Sequence, residues 1–174
     1  MIEQRTISLE NWKEHVRTDR FYHVTWREHL PSIKENGLSP ISQLQNKPEL
    51  THGGEPDFVY LWNPAFGLKM IDAVIRSPEN IMAMLEVELP EGYHIERDYH
   101  SGTNSLDRGD SREEIEDFFE FCGIEFTGPI TEENLRRDVD LAPNWIGAYR
   151  TPEVIPPEYI DFDKWAFLND PPYY

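Results

Sequence analysis

The sequence predicts one domain of the α+β class, spanning residues 1–174, with short strands and short capped helices. Three observations predict it. The chain has 174 residues, of which 39% are hydrophobic, the size and apolar content of one ordinary domain. Several segments are aromatic and β-branched or alternate between apolar and polar residues. Ser or Thr precedes several amphipathic segments, as at a helix start.

The first third of the chain predicts helix, strand, helix and loop in that order. Ser8 precedes a short amphipathic helix over residues 9–16, and the aromatic stretch at residues 20–26 predicts the first core strand. Residues 30–36 predict a helix with proline in its first turn, which Gly37 ends in a left-handed conformation. The polar segment that follows, up to Asp57, predicts a long loop.

The middle of the chain predicts two further strands and a helix. Residues 58–62 predict the second strand, after which Asn63 caps a helix reaching about Arg76. Residues 81–89 alternate and give one wholly apolar face, which predicts a central strand. Residues 93–97 are expected to pair with that strand after a turn at Pro90 to Gly92.

The last third predicts two capped helices and two strands. Residues 98–112 predict a polar excursion, after which Ser111 caps an amphipathic helix whose acidic residues face solvent. Thr131 begins another helix. Residues 144–151 and 159–167 predict the remaining strands, the last one behind two prolines.

Composition excludes several classes of function. The chain has 33 acidic and 16 basic residues, a net charge of −17, which repels phosphate backbones and disfavours nucleic acid as a partner, although a high-salt cytoplasm would screen such a surface. No segment predicts a membrane span or a secretory signal, so a cytoplasmic location is expected. The single cysteine, Cys122, is expected to be buried and inert, and the spacing of the six histidines predicts no metal site.

His23 is the first candidate for function, because it interrupts an apolar and aromatic strand where its polar ring needs a hydrogen-bond partner or a ligand. The stretch Phe-Tyr-His-Val-Thr-Trp at residues 21–26, with the helix and Gly-Leu that follow up to Pro40, resembles the opening motif of the ADP-ribosyltransferase superfamily. The similarity is greatest to the branch that carries a histidine on the first strand. Residues 59–62 are similar to the family's second motif, and residues 155–160 to the segment after its third.

The resemblance implies a split β-sandwich of two mostly antiparallel sheets with flanking short helices, with NAD held as a substrate in the cleft between the sheets. His23 would hydrogen-bond the nicotinamide side of NAD, and Tyr60 would stack on the nicotinamide ring. The other residues that the resemblance places beside NAD are Val24, Thr25 and Asn63. No metal is implied.

The family's third functional residue is a glutamate that stabilises positive charge as nicotinamide leaves. Relatives tend to carry it where this chain has Ala148. An alternative register places Glu153 in that role, and Glu158 is expected to be structural. His23, Tyr60 and Glu153 are therefore the expected catalytic residues.

Three functions remain open at this stage. The resemblance implies an enzyme that cleaves the nicotinamide–ribose bond and transfers ADP-ribose to an acceptor that the sequence does not identify. A monomer is expected. Alanine at position 148 favours instead a non-catalytic protein that binds NAD or ADP-ribose. The RNA 2′-phosphotransferase branch shares the histidine strand, but the acidity of the chain opposes an RNA substrate.

Overall fold

The computed structural model describes residues 17–45, 55–66, 82–100 and 109–167, which form one six-stranded antiparallel sheet and a few helices. The strands are β1 (Phe21–Trp26), β2 (Val59–Trp62), β3 (Met82–Val87), β4 (Glu96–Arg97), β5 (Ala148–Thr151) and β6 (Ile160–Phe167). The α-helices are α1 (Leu30–Asn36), α2 (Arg112–Phe121) and α3 (Glu132–Leu141). The predicted mixture of helices and strands is therefore confirmed.

The strands lie in the order β4-β5-β2-β1-β3-β6. All six residues of β1 pair with β3, whereas the register between β1 and β2 consists of the pair Tyr22 and Trp62. The strand predicted at residues 93–97 is shortened to β4 and pairs with β5, so the expectation that it pairs with the strand at 81–89 is wrong. Its position beside β5 brings polar residues of the two strands onto one face.

Two clusters of buried side chains pack on opposite faces of the sheet, because Leu61 and Trp62 are consecutive in β2 and contact different clusters. The first core lies on the face covered by α1 and contains Ile33, Leu38, Val59, Leu61, Ala83, Leu85, Val87, Ile155 and Ile160. The second core lies under α2 and α3 and contains Phe66, Tyr99, Ile115, Phe119, Cys122, Ile124, Leu135, Val139, Ala142, Trp145 and Ala148. Cys122 is buried there, as predicted.

The predicted helix starts in the second half of the chain are confirmed. The Ser111 hydroxyl accepts a hydrogen bond from the backbone N–H of Glu114, whose carboxylate accepts one from the backbone N–H of Ser111 in return. The Thr131 hydroxyl accepts from the backbone N–H of Asn134. In α2 the acidic residues face away from buried Ile115 and Phe119, consistent with a solvated face.

Gly37 ends α1 at positive φ as predicted, but its ψ of −172° is extended rather than helical. The extended ψ of Gly37 directs the chain into a contact with Ile155. Leu38 and Ile155 exchange two backbone hydrogen bonds, with N···O distances of 2.9 and 2.8 Å, so the chain leaves α1 directly into an isolated β-bridge. This bridge ties the segment after β5 to the end of α1.

Four predictions fall largely or partly outside the described residues. The helix over residues 9–16 lies wholly outside them, and of the helix that follows Asn63 the structure describes one turn at residues 64–66. The long loop up to Asp57 and the polar excursion at residues 98–112 are described only at their two ends. In the described ranges, no helix has the length and apolarity needed to cross a membrane.

Candidate functional site

His23 lies in β1 beside the point where β1 and β2 cease to pair. Its Nδ1 is 2.8 Å from the backbone oxygen of Tyr60. A carbonyl oxygen only accepts hydrogen bonds, so Nδ1 carries the proton and donates it. Burial lowers the pKa of His23 below its usual value, and the nearby imidazole of His29 adds to this effect. The hydrogen bond to the Tyr60 carbonyl acts in the opposite direction but is outweighed. The ring is therefore neutral at pH 7, and its Nε2 is a hydrogen-bond acceptor.

Nε2 of His23 has no hydrogen-bond partner within the described ranges, where every buried side-chain nitrogen or oxygen has one. His23 is a half-buried residue. An unprotonated Nε2 that reaches solvent can accept a hydrogen bond from a hydroxyl or an amide N–H of a ligand. The structure thus holds the predicted histidine in one tautomer, with one nitrogen fixed and the other available.

Tyr60 is linked to His23 through its backbone and not through its ring. Because His23 pairs with Leu85 and Tyr60 precedes Leu61 in β2, strand alternation directs the two side chains to opposite faces of the sheet. The Tyr60 hydroxyl accepts a hydrogen bond from the backbone N–H of Glu55 at 2.7 Å. Burial raises the pKa of Tyr60 to about 12, so the phenol stays protonated at neutral pH.

The Tyr60 hydroxyl borders a group of charged side chains that we name the Arg150 cluster: Glu55, Glu96, Asp98, His100 and Arg150. The guanidinium of Arg150 contacts Glu96 at 2.5 Å and Glu55 at 3.2 Å, and its side chain is 5% exposed. It also lies over the ring of Phe58, 4.1 Å from the ring centroid. Glu55 lies 3.9 Å from Nδ1 of His100.

The charge of this cluster is negative. Glu55, Glu96 and Asp98 contribute three carboxylates and Arg150 one cation, so the formal sum is −2 when all three acids are ionised and His100 is neutral. Burial raises the pKa of Asp98, although the backbone N–H of His100 and the charge of Arg150 oppose that rise. A negative, partly buried site stabilises a cationic ligand or developing positive charge.

Glu153 lies apart from His23 and Tyr60. It follows β5 and is half-exposed, with its carboxylate 3.9 Å from Nδ1 of His94 and its backbone N–H bonded to the Thr151 hydroxyl. In the described ranges it forms no hydrogen bond or ion pair with His23 or Tyr60. Glu158 is also exposed, in a 3-10 helix at Pro157–Tyr159.

The remaining predicted residues lie in β1, directly after β2 and in β5. Val24 is half-buried and Thr25 is buried opposite Ala83. The Asn63 side chain accepts a hydrogen bond from the backbone N–H of Ala65 at 2.9 Å, so it caps the helical turn that follows β2, as the sequence predicts. Ala148 is buried in the second core, opposite Trp62.

Sequence reasoning missed the Arg150 cluster. An arginine within an aromatic and β-branched strand was one available signal, because a buried guanidinium requires carboxylate partners. The partners come from β4 and from the end of the long loop, and neither spacing nor periodicity relates these segments to β5. Among the described residues, no group of three or more His, Cys, Asp or Glu is arranged to hold a metal ion.

Comparison of the chain with models of known protein families gives no match, and comparison with curated proteins gives none.

Proposed function

We propose that this protein is an NAD-dependent ADP-ribosyltransferase, which cleaves the nicotinamide–ribose bond of NAD and transfers ADP-ribose to an acceptor. The observation that carries the proposal is the state of His23. It is a neutral imidazole fixed through Nδ1, with Nε2 left as an acceptor at the junction of β1 and β2. The resemblance of residues 21–40 to the superfamily's opening motif supports the same assignment.

A neutral histidine suits a sugar better than a phosphate. A ribose hydroxyl donates a hydrogen bond, which Nε2 of His23 accepts without a change of protonation. A protonated histidine would instead offer two donors and a positive charge, which favour a phosphate. His23 is therefore proposed to bind a ribose hydroxyl of NAD.

The pairing of β1 and β2 supports a cleft at that position. Their register is limited to Tyr22 and Trp62, while each neighbouring pair of long strands runs over four or more residues. Two adjacent strands that pair at one residue pair and then separate can leave a space between their ends. A split between the β1 and β2 halves of the sheet is accordingly part of the proposal, with Tyr60 on the β2 side.

One observation favours a second function, the binding of NAD or ADP-ribose without turnover. Position 148 carries a buried alanine, and Glu153 is half-exposed beside His94. Neither position supplies a carboxylate that is hydrogen-bonded to the ring of His23. If no other carboxylate acts in their place, the protein binds NAD but does not break its bond to nicotinamide.

The test measures binding and turnover separately. The protein is titrated with NAD and with ADP-ribose by calorimetry, and is then incubated with NAD while free nicotinamide and the mass of the protein are followed. We expect binding of NAD and release of nicotinamide, both lost in His23→Ala. The control is Arg112→Ala, on the exposed face of α2, which should behave as the unaltered protein.

The outcomes separate the two functions. Binding without nicotinamide release would favour the non-catalytic protein. Neither binding nor release in the unaltered protein would contradict both.

A further inference from the structure

The ring of His23 joins β1 to β2 where the pairing of the two strands stops. Their register consists of the pair Tyr22 and Trp62. Beyond that pair, Nδ1 of His23 donates a hydrogen bond to the backbone oxygen of Tyr60 at 2.8 Å. The position of this carbonyl oxygen therefore determines which nitrogen of the His23 ring carries the proton.

Tyr60 is itself held from the opposite side, by β5. The two strands β2 and β5 pair over four residues, with Tyr60 opposite Arg150. Side chains that lie opposite each other in antiparallel strands share a face of the sheet. The Tyr60 phenol and the Arg150 guanidinium thus lie on the face away from His23, where the phenol accepts the backbone N–H of Glu55 at 2.7 Å.

Arg150 in turn fixes the segment that leads into β2. Its Nη1 lies 3.2 Å from the carboxylate of Glu55, and its guanidinium lies 4.1 Å from the centroid of the Phe58 ring. The Arg150 side chain is 5% exposed, whereas that of Glu55 is 41% exposed. A buried, planar guanidinium with fixed donors can hold a more exposed carboxylate in one position. Glu55 is therefore placed to bind the Tyr60 phenol through its backbone.

We propose that Arg150 is a positioning residue for His23. Through Glu55 and the Tyr60 phenol, it holds the Tyr60 carbonyl where that oxygen keeps the proton on Nδ1 of His23. Its effect on NAD rests on the proposed ADP-ribosyltransferase function, because Nε2 then stays an acceptor for the ribose hydroxyl. The proposal also gives the Tyr60 phenol a role on the face away from His23, separate from stacking on nicotinamide.

The physical reason is the choice between two tautomers. A neutral imidazole carries its proton on one nitrogen and accepts hydrogen bonds at the other. A hydrogen bond of ordinary strength shifts such an equilibrium by roughly 2- to 10-fold. If the Tyr60 carbonyl moves away from Nδ1, the tautomer with the proton on Nε2 gains population. In that tautomer His23 no longer accepts the hydroxyl proton of a ribose.

Two substitutions test the proposal, and a third is the matched control. Arg150→Lys keeps a cation in the buried site but loses the planar guanidinium that contacts Glu55. Tyr60→Phe removes the hydroxyl that accepts the Glu55 N–H and leaves the ion pair of Arg150 in place. The control is Tyr93→Phe, which also removes a phenol bonded to a backbone atom, the Val154 oxygen at 2.8 Å.

The tautomer is read from the nitrogen NMR shifts of the His23 ring above neutral pH, alongside the melting temperature and the Kd for NAD. We expect Arg150→Lys and Tyr60→Phe each to raise the ratio of the Nε2–H to the Nδ1–H tautomer by roughly 2- to 10-fold. The Kd for NAD should rise by a similar factor. Tyr93→Phe should change neither quantity.

Several outcomes would overturn the inference. Unchanged ring shifts in Tyr60→Phe would show that the phenol does not position the carbonyl. A change in Tyr60→Phe without one in folded Arg150→Lys would remove the role of Arg150, and an equal change in Tyr93→Phe would indicate general loosening. If Arg150→Lys does not fold, Tyr60→Phe decides the test. The tautomer is measured without NAD, so a shifted tautomer in a protein that does not bind NAD would support the positioning and contradict the proposed function.

Discussion

Replacement of Gly37 by alanine should destabilise the fold strongly, and Gly92 provides a matched control. The two glycines have nearly the same φ, +79° and +82°. A Cβ on Gly37 would lie 2.2 Å from the backbone oxygen of Ile155, while a Cβ on Gly92 would meet nothing within 4 Å. Comparison of the two variants therefore separates the cost of the backbone conformation from the cost of the close approach.

The magnitude follows from the contacts. An alanine at positive φ costs about 1–2 kcal/mol, and reduced freedom of the unfolded chain offsets about 0.4–1 kcal/mol of it. Gly92→Ala should therefore cost about 1 kcal/mol. Carbon atoms pack at about 3.5–4.0 Å, so Gly37→Ala also has to displace Ile155 and break its two hydrogen bonds to Leu38, at about 1 kcal/mol each. The total for Gly37→Ala is about 3 kcal/mol.

The assay is urea unfolding followed by circular dichroism, with thermal melting in support. A difference of about 2 kcal/mol between the variants corresponds to a difference in melting temperature of roughly 4–8 °C for a domain of this size. Equal free energies of unfolding for Gly37→Ala and Gly92→Ala would refute the reasoning, because they would show that the bridge between Leu38 and Ile155 contributes nothing measurable.

Three further predictions concern other parts of the fold. Because burial lowers the pKa of His23, the unfolded chain binds more protons than the folded one below about pH 6.5. The free energy of unfolding should consequently fall between pH 7 and pH 5, and His23→Gln should reduce that fall in urea titrations at each pH; an unchanged slope would contradict it. Ser111→Ala should cost about 1 kcal/mol in the same assay and Ser111→Asp much less, since aspartate keeps the cap of α2. Phe119→Ala, in the fully buried second core, should cost about 3–5 kcal/mol, and Leu141→Ala, whose side chain is 73% exposed, should cost little; similar losses would argue against this core.

Local structure was largely predictable from the sequence, because local signals determine it. The aromatic and β-branched run of β1, the alternation of β3 and the hydroxyl caps of α2 and α3 each follow from a few neighbouring residues. The ends of a strand differ from the prediction where pairing with a neighbouring strand determines them. The segment predicted as a strand at residues 93–97 keeps only its last two residues in β4, since β5 offers a partner there.

The sequence alone also directed attention to His23, because a polar ring in an apolar strand requires a partner whatever the fold. The tertiary structure decided what that partner is: the carbonyl of Tyr60, 37 residues along the chain, which sets the tautomer. It likewise brought Asp98 opposite Ala148 and joined Glu55 and Glu96 to Arg150. Strand order sets these contacts, and it depends on how whole faces pack together, which a pattern of nearby residues does not specify.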